Sequence, residues 1–197
     1  MIRFIYVTLL CILISACGGQ PSLQGSKFEV ESNNLFGIDV KKSTNGNLQS
    51  IAFAILDAPP EVVFKKMADH ENLRDWVPMI DHLVGVNHAK SITPGTSNVG
   101  TVRTCNFGGD EIVEDITHWI PGRAYAYSAR DTIDGPANDH LGIITIEKGG
   151  GNSSLVTWRQ YFTPVGFKGN YVMPMMMSYV TSKALKNLAE EFGGEAY

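Results

Sequence analysis

In the stretch "VRTCNFGGDEIVEDI" (residues 102–116), Arg103 and Glu114 are the two side chains best spaced to do chemistry together. With Gly108 and Gly109 as the turn, counting outward pairs Phe107 with Asp110, Cys105 with Ile112, Arg103 with Glu114 and Thr101 with Ile116. Strand side chains alternate, so Thr101, Arg103, Cys105, Phe107, Ile112, Glu114, Ile116 and His118 share one face. The opposite face, with Val102, Thr104, Asn106, Glu111, Val113, Asp115 and Thr117, is the more polar, and the charged pair is therefore expected to point inward. An exposed ion pair is worth about 0–1 kcal/mol and needs no explanation. Enclosing two charges costs several kcal/mol for each, so stability is a weak reason to keep them there. Three readings follow: a satisfied structural pair, a pair that orients the polar end of a ligand, and an acid/base pair. In the last, Glu114 exchanges a proton while Arg103 stabilises negative charge on an enolate-like oxygen.

The same parity applied to neighbouring strands adds Tyr125 and Tyr127 from "AYAYSAR", and Thr157, Arg159 and Tyr161 from "TWRQY". Trp158 then faces away, unless a bulge brings it inward and turns Arg159 out. Met173, Met177, Val180 and Ala184 recur at helical spacing and are expected to close the cavity from the far side, since methionine fits varied apolar shapes. Core packing accounts for that stripe equally well.

Other chemistry finds little support. The five histidines stand apart, without paired cysteines or clustered carboxylates, so neither a metal nor a cofactor is expected. His118 shares the inward parity but reads better as solvated or capped. Cys105 has no base partner in the sequence and reads as a small buried hydrophobe. "GGGN" and "FGGDE" lack the strand and helix context of phosphate loops and read as turns.

The elements that must position these groups run in a segregated order. "LQSIAFAIL" (48–56) reads as a strand, and "DAPPEVVFKKMADHENLRDWVP" as two short helices, the first capped by Asp57 and the second ending before Pro78. Strand candidates follow in "MIDHLVGVNHA", "SITPGTSN", "VGTVRTCNF", "DEIVEDITHW", "AYAYSAR", "HLGIITIEK" and "SLVTWRQYF". A long helix runs from about Tyr171 to Phe192. Residues 28–47 read either as an extra edge strand or as ordered coil. This order implies an α+β layer, a curved antiparallel sheet of about seven strands around the C-terminal helix.

The amino terminus, "MIRFIYVTLLCILISAC", carries one cation and then an apolar run too short to span a bilayer, the pattern of a secretion signal. "ISAC" resembles the lipobox of bacterial lipoproteins. Residues 1–16 are thus expected to be a signal peptide, Cys17 the lipidated residue, 17–27 a flexible tether and 28–197 a single domain. Lipid on Cys17 would hold the chain to the cell envelope, facing the periplasm. Gly18 after the cysteine resembles sorting signals for the outer membrane. With Cys11 removed, Cys105 would be the remaining thiol and no internal disulfide could form. The formal charge of −4, with no Lys/Arg cluster, argues against nucleic acid as a partner. Oligomeric state is not legible.

"DAPPEVVFKKMADHENLRDWVPMI", "VGTVRT", a glutamate eleven residues after the arginine, "PGR" and "VTWRQYF" together resemble the polyketide cyclase/dehydrase and lipid-transport group of the START and birch-pollen-allergen (SRPBCC) superfamily. The resemblance covers about residues 48–193. It implies a helix-grip fold with an apolar cavity between sheet and C-terminal helix, and a small hydrophobic or lipidic ligand. Plant members with a similar arginine strand and following glutamate place both in the cavity, and in some enzyme members such a pair handles protons. A cofactor-independent cyclase, dehydratase or isomerase is therefore the alternative to a binding protein.

Overall fold

The computed structural model describes residues 34–107, 109–132 and 135–197; the signal-peptide, Cys17 and tether expectations lie outside these residues. A small hairpin of β1 (Asn34–Leu35) and β2 (Ile38–Asp39) leads into the single-turn helix α1 (Val40–Ser43), which settles residues 34–43 as ordered structure. β3 (Asn47–Leu56) begins the main sheet. Helix α2 (Pro60–Met67) follows with proline in its first turn, and then a 3-10 turn at His70–Asp75. The helix begins after Pro59 with no side-chain cap, so Asp57 does not play the capping role expected of it.

β4 (Ile80–Asn87), β5 (Val102–Phe107), β6 (Asp110–Ile120), β7 (Ala124–Ala129), β8 (Ala137–Lys148) and β9 (Ser154–Pro164) form an antiparallel meander. The expected strand at "SITPGTSN" is instead a loop, held by Ile92 and Ser91 contacts with Val99 and Thr96. A π turn at Lys168–Val172 opens α3 (Met173–Phe192), and β10 (Gly194–Ala196) ends the chain. The sheet has eight strands in the order β10-β3-β9-β8-β7-β6-β5-β4. The strand beyond the expected seven is β10, which pairs with β3 after the helix returns.

The inner face of the sheet and the helices enclose one core: Ala52, Leu56, Val63, Phe64, Met67, Leu73, Trp76, Ile116, Tyr125, Ile144, Trp158, Val180, Ala184, Leu185 and Leu188. A second, smaller core lies on the outer face, where Leu35, Ile38 and Val40 cover Ala124, Ala126, Leu141 and Ile143. Because of it, β8 is buried on both faces from His140 to Ile146 and loses the apolar/polar alternation of a half-solvated strand.

Candidate functional site

The β5–β6 register pairs Arg103 with Glu114, Cys105 with Ile112 and Phe107 with Asp110, as the spacing requires. Gly109, at φ +98°, adopts the left-handed conformation that lets the turn close. Thr101 meets Ile116 through the Ile116 N–H, which donates to its carbonyl at 2.8 Å.

Arg103 and Glu114 are 4% and 7% exposed, and Arg103 Nε donates to Glu114 Oε2 at 2.6 Å. The adjacent residue shows what the outer face does with charge: Asp115 accepts two bonds from Arg130, at 2.7 and 2.8 Å, in a pair half open to solvent. One strand thus carries an exposed pair and an enclosed pair at consecutive positions. Burial works against the Arg103 charge, but the Glu114 carboxylate, aided by Tyr125 and Tyr127, outweighs it and keeps the guanidinium above its ordinary pKa. Arg103 Cζ also lies 4.4 Å from the centre of the Tyr127 ring, a cation–π contact.

Tyr127 is the hub of a buried polar chain. Its hydroxyl oxygen accepts from Trp158 Nε1 and from Gln160 Nε2, each at 3.0 Å. Gln160 Oε1 lies 2.8 Å from His140 Nε2, and His140 Nδ1 accepts the Ala129 N–H at 3.1 Å. A backbone amide can only donate, so His140 carries its hydrogen on Nε2 and gives it to Gln160. Burial holds His140 below its ordinary pKa and pushes Tyr127 up. Tyr125, pushed up to about 12 by burial, donates to the Met67 carbonyl at 2.9 Å and so ties α2 to the sheet.

Several enclosed donors have no partner among the described residues: Arg103 Nη1, Trp76 Nε1 and one nitrogen of His70, neither of whose ring nitrogens is engaged. Buried polar groups are nearly always hydrogen-bonded, so such a group calls for an explanation. His70 is fully buried against Trp119 and Tyr125, and its desolvation holds its pKa well below the ordinary value.

The residues expected on the cavity side divide as follows. Thr101, Cys105, Ile116, Tyr125 and Tyr127 are buried there and Ile112 is partly buried, while the Cys105 thiol is pushed up to about 12 by burial. Thr157, Arg159 and Tyr161 are not on that face. Trp158 and Gln160 occupy it, Tyr161 packs against the outer core and Arg159 donates to Thr145 on the neighbouring strand. No bulge within "TWRQY" is needed for this; the strand simply runs in the other parity, and the outer core hides the difference. His118 also leaves the inner face, because a bulge between Ile116 and His118 brings Trp119 in opposite Tyr125. On α3, Val180 and Ala184 are buried as expected, whereas Met173 and Met177 are only partly so and Met176 packs against the core instead.

Gln160, His140 and Trp76 were not anticipated. Nothing local marks Gln160 or His140 in an apolar run, and Trp76 reads as the end of a short helix. A surface opening of about 370 Å³ lies between α1 and the β7–β8 region, bordered by Lys42, Thr44, Arg130, Asp131, Asp139 and His140. Among the described residues no group of three or more His, Cys, Asp or Glu could hold a metal ion.

The model of the polyketide cyclase/dehydrase and lipid transport family matches residues 51–193. The chain belongs to this family. Solved structures of the same fold include the protein XoxI from Bacillus cereus, 26% identical with a TM-score of 0.58 over 73% of this chain and 94% of that one. An uncharacterised protein from Bacillus thuringiensis is 25% identical with a TM-score of 0.57, over 73% and 97% of the two chains. The ginseng (Panax ginseng) major latex-like protein 151 shares the fold at 11% identity, with a TM-score of 0.53 over 73% and 96%. No curated protein matches the sequence. For this family member, the curved sheet gripping a long C-terminal helix is the expected ligand-binding architecture, and Arg103 and Glu114 lie on its inner face.

Proposed function

We propose that this protein binds a small hydrophobic or lipidic molecule between sheet and α3, with Arg103 and Glu114 orienting its polar end. The observation that carries this reading is the buried edge of Arg103: Glu114 takes Nε, while Nη1 is enclosed and unpartnered. A purely structural pair gains nothing from a dangling donor in a dry interior, whereas a binding site uses one. Native mass spectrometry of protein purified from its host, before and after delipidation, tests it. A bound small molecule that delipidation removes is expected. Protein that is empty throughout, with no thermal shift on adding lipids, would sink the reading.

The amino-terminal pattern supports attachment to the cell envelope through lipid on Cys17, facing the periplasm and sorted to the outer membrane. A tether of residues 17–27 would reach at most about 40 Å when extended, which keeps the domain near the bilayer. Phe167, Tyr171, Met175 and Tyr179 are exposed at four-residue spacing, and such side chains suit a membrane–water interface. Metabolic labelling with a fatty-acid probe should mark wild-type protein and not Cys17→Ala; equal labelling of both would remove the anchor.

The second reading, a cofactor-independent cyclase, dehydratase or isomerase, rests on the Glu114 oxygen that Arg103 Nε does not use. Glu114→Gln keeps the shape and removes the base, so turnover unchanged by that substitution would exclude Glu114 as the base.

A further inference from the structure

The approach to α3 and its first two turns bury almost nothing. From Val165 to Tyr179 Gly169 is the one buried residue, and the helix first turns a fully buried side chain to the core at Val180. The segment is nevertheless apolar: Phe167, Tyr171, Met175 and Tyr179 are 74%, 68%, 69% and 57% exposed, with Val165 and Val172 open as well. The Phe167 and Tyr171 rings lie 5.0 Å apart, so the patch runs without a break through the π turn. Single exposed apolar side chains are ordinary; a run of them along one element marks a surface that meets a partner.

Charge says which partner. No Asp or Glu occurs between Lys148 and Ala189, in a chain with 20 acidic residues and a formal charge of −4. The stripe through Met175 and Tyr179 continues at helical spacing into Lys183 and Lys186, and Lys168 lies within its apolar part. Lys168 and Lys186 make no salt bridge among the described residues, and Lys183 approaches Glu190 only to 3.9 Å. Polarity therefore changes along the axis, with rings and thioethers where the chain enters the helix and ammonium groups beyond them. A bilayer with anionic headgroups answers both halves: the apolar end enters the interface and the lysines meet phosphates. Two copies of the chain packed by this face would bring cations against cations, with no carboxylate inside the stretch to answer them. We propose that the face from Phe167 to Lys186 docks on an anionic lipid bilayer, with α3 tilted so that Phe167 and Tyr171 lie deepest and Glu190 and Glu191 stay in water. The folded domain thus makes its own membrane contact, which extends the envelope reading and does not need lipid on Cys17.

Depth in the bilayer can be read with full-chain protein in excess vesicles of phosphatidylglycerol and phosphatidylcholine, brominated on their acyl chains so that they quench tryptophan by contact. Tyr171→Trp puts a reporter in the face, and Tyr197→Trp puts one beside Phe53 at the β3 edge; wild type supplies the background of its core tryptophans. Tyr171→Trp should be quenched at least about threefold more than Tyr197→Trp. Replacing phosphatidylglycerol by phosphatidylcholine should lower that quenching, and so should Lys168→Gln with Lys186→Gln, each lysine weakening docking about fivefold. Equal quenching of the two reporters, or none at Tyr171→Trp, would overturn the docked face whatever fatty-acid labelling shows at Cys17. Quenching indifferent to phosphatidylglycerol and to both lysines would overturn the anionic partner. Emission of Tyr171→Trp that moves to the blue with protein concentration in vesicle-free solution would overturn the proposal in favour of a second copy of the chain.

Discussion

Trp158, opposite Ile144 of β8, reaches across that strand to Tyr127, its indole N–H 3.0 Å from the phenol oxygen, and Tyr127 itself lies opposite Gly142, which has no side chain. A methyl group at position 142 would collide with the Tyr127 ring. The glycine is therefore a clearance for the polar hub. Gly142→Ala should lose about 1–3 kcal/mol of stability through overpacking. Urea denaturation would show a lower midpoint with an unchanged slope; an unaltered midpoint would mean that Tyr127 moves aside freely.

Arg103 and Glu114 should separate stability from binding. Glu114→Ala leaves a buried guanidinium uncompensated and should cost about 3–5 kcal/mol. The double replacement Arg103→Met with Glu114→Leu removes both charges and keeps apolar bulk, so it should regain most of that loss or exceed the wild type. Thermal melts check this, and the double variant should also purify without its ligand. A double variant as unstable as Glu114→Ala would show that the pair does more for the fold than fill its site.

Acid should weaken the fold through two buried histidines. His70 and His140 are held below their ordinary pKa of about 6.5, so below that pH the unfolded chain binds protons that the folded one refuses. Stability is fully present above about pH 6.5 and falls as pH drops toward the folded-state values, by at most about 1.4 kcal/mol per pH unit for each histidine. The urea midpoint should decline between pH 7 and pH 5, and His70→Phe should make that decline shallower. An identical pH profile for the variant would exonerate His70.

Cys105 should be chemically silent while the protein is folded. It is 1% exposed, and burial pushes its thiol up to about 12. Ellman's reagent at pH 8 should react only at the unfolding rate and then promptly in denaturant. Rapid labelling of native protein would place the thiol on an open path to solvent.

The hairpin of Arg103 and Glu114 was legible because a Gly-Gly turn fixes its own register and one face is wet, so parity has one answer. The last strand failed for the opposite reason. Leu35, Ile38 and Val40 cover the outer face of β7 and β8, so "TWRQY" can be read with either face inward, and Trp158 and Gln160 won over Thr157, Arg159 and Tyr161. The bulge that exchanges His118 for Trp119 adds one residue to β6 without a glycine or proline to announce it. β10 was missed because three residues after a long helix carry no periodicity; partnership with β3 alone makes them a strand.

That short terminal strand also determines how the molecule meets its own copies. β3 exposes Phe53 and Ile55, and Gly194–Ala196 pair with its last three residues, Ala54–Leu56, whose backbone would otherwise be an open template for another chain. At the other border, β4 is irregular at two places in its pairing with β5, which spoils it for docking. A carboxy-terminal purification tag or a nonsense codon that loosens the last residues is thus expected to seed aggregates, even though it lies far from Arg103 and Glu114.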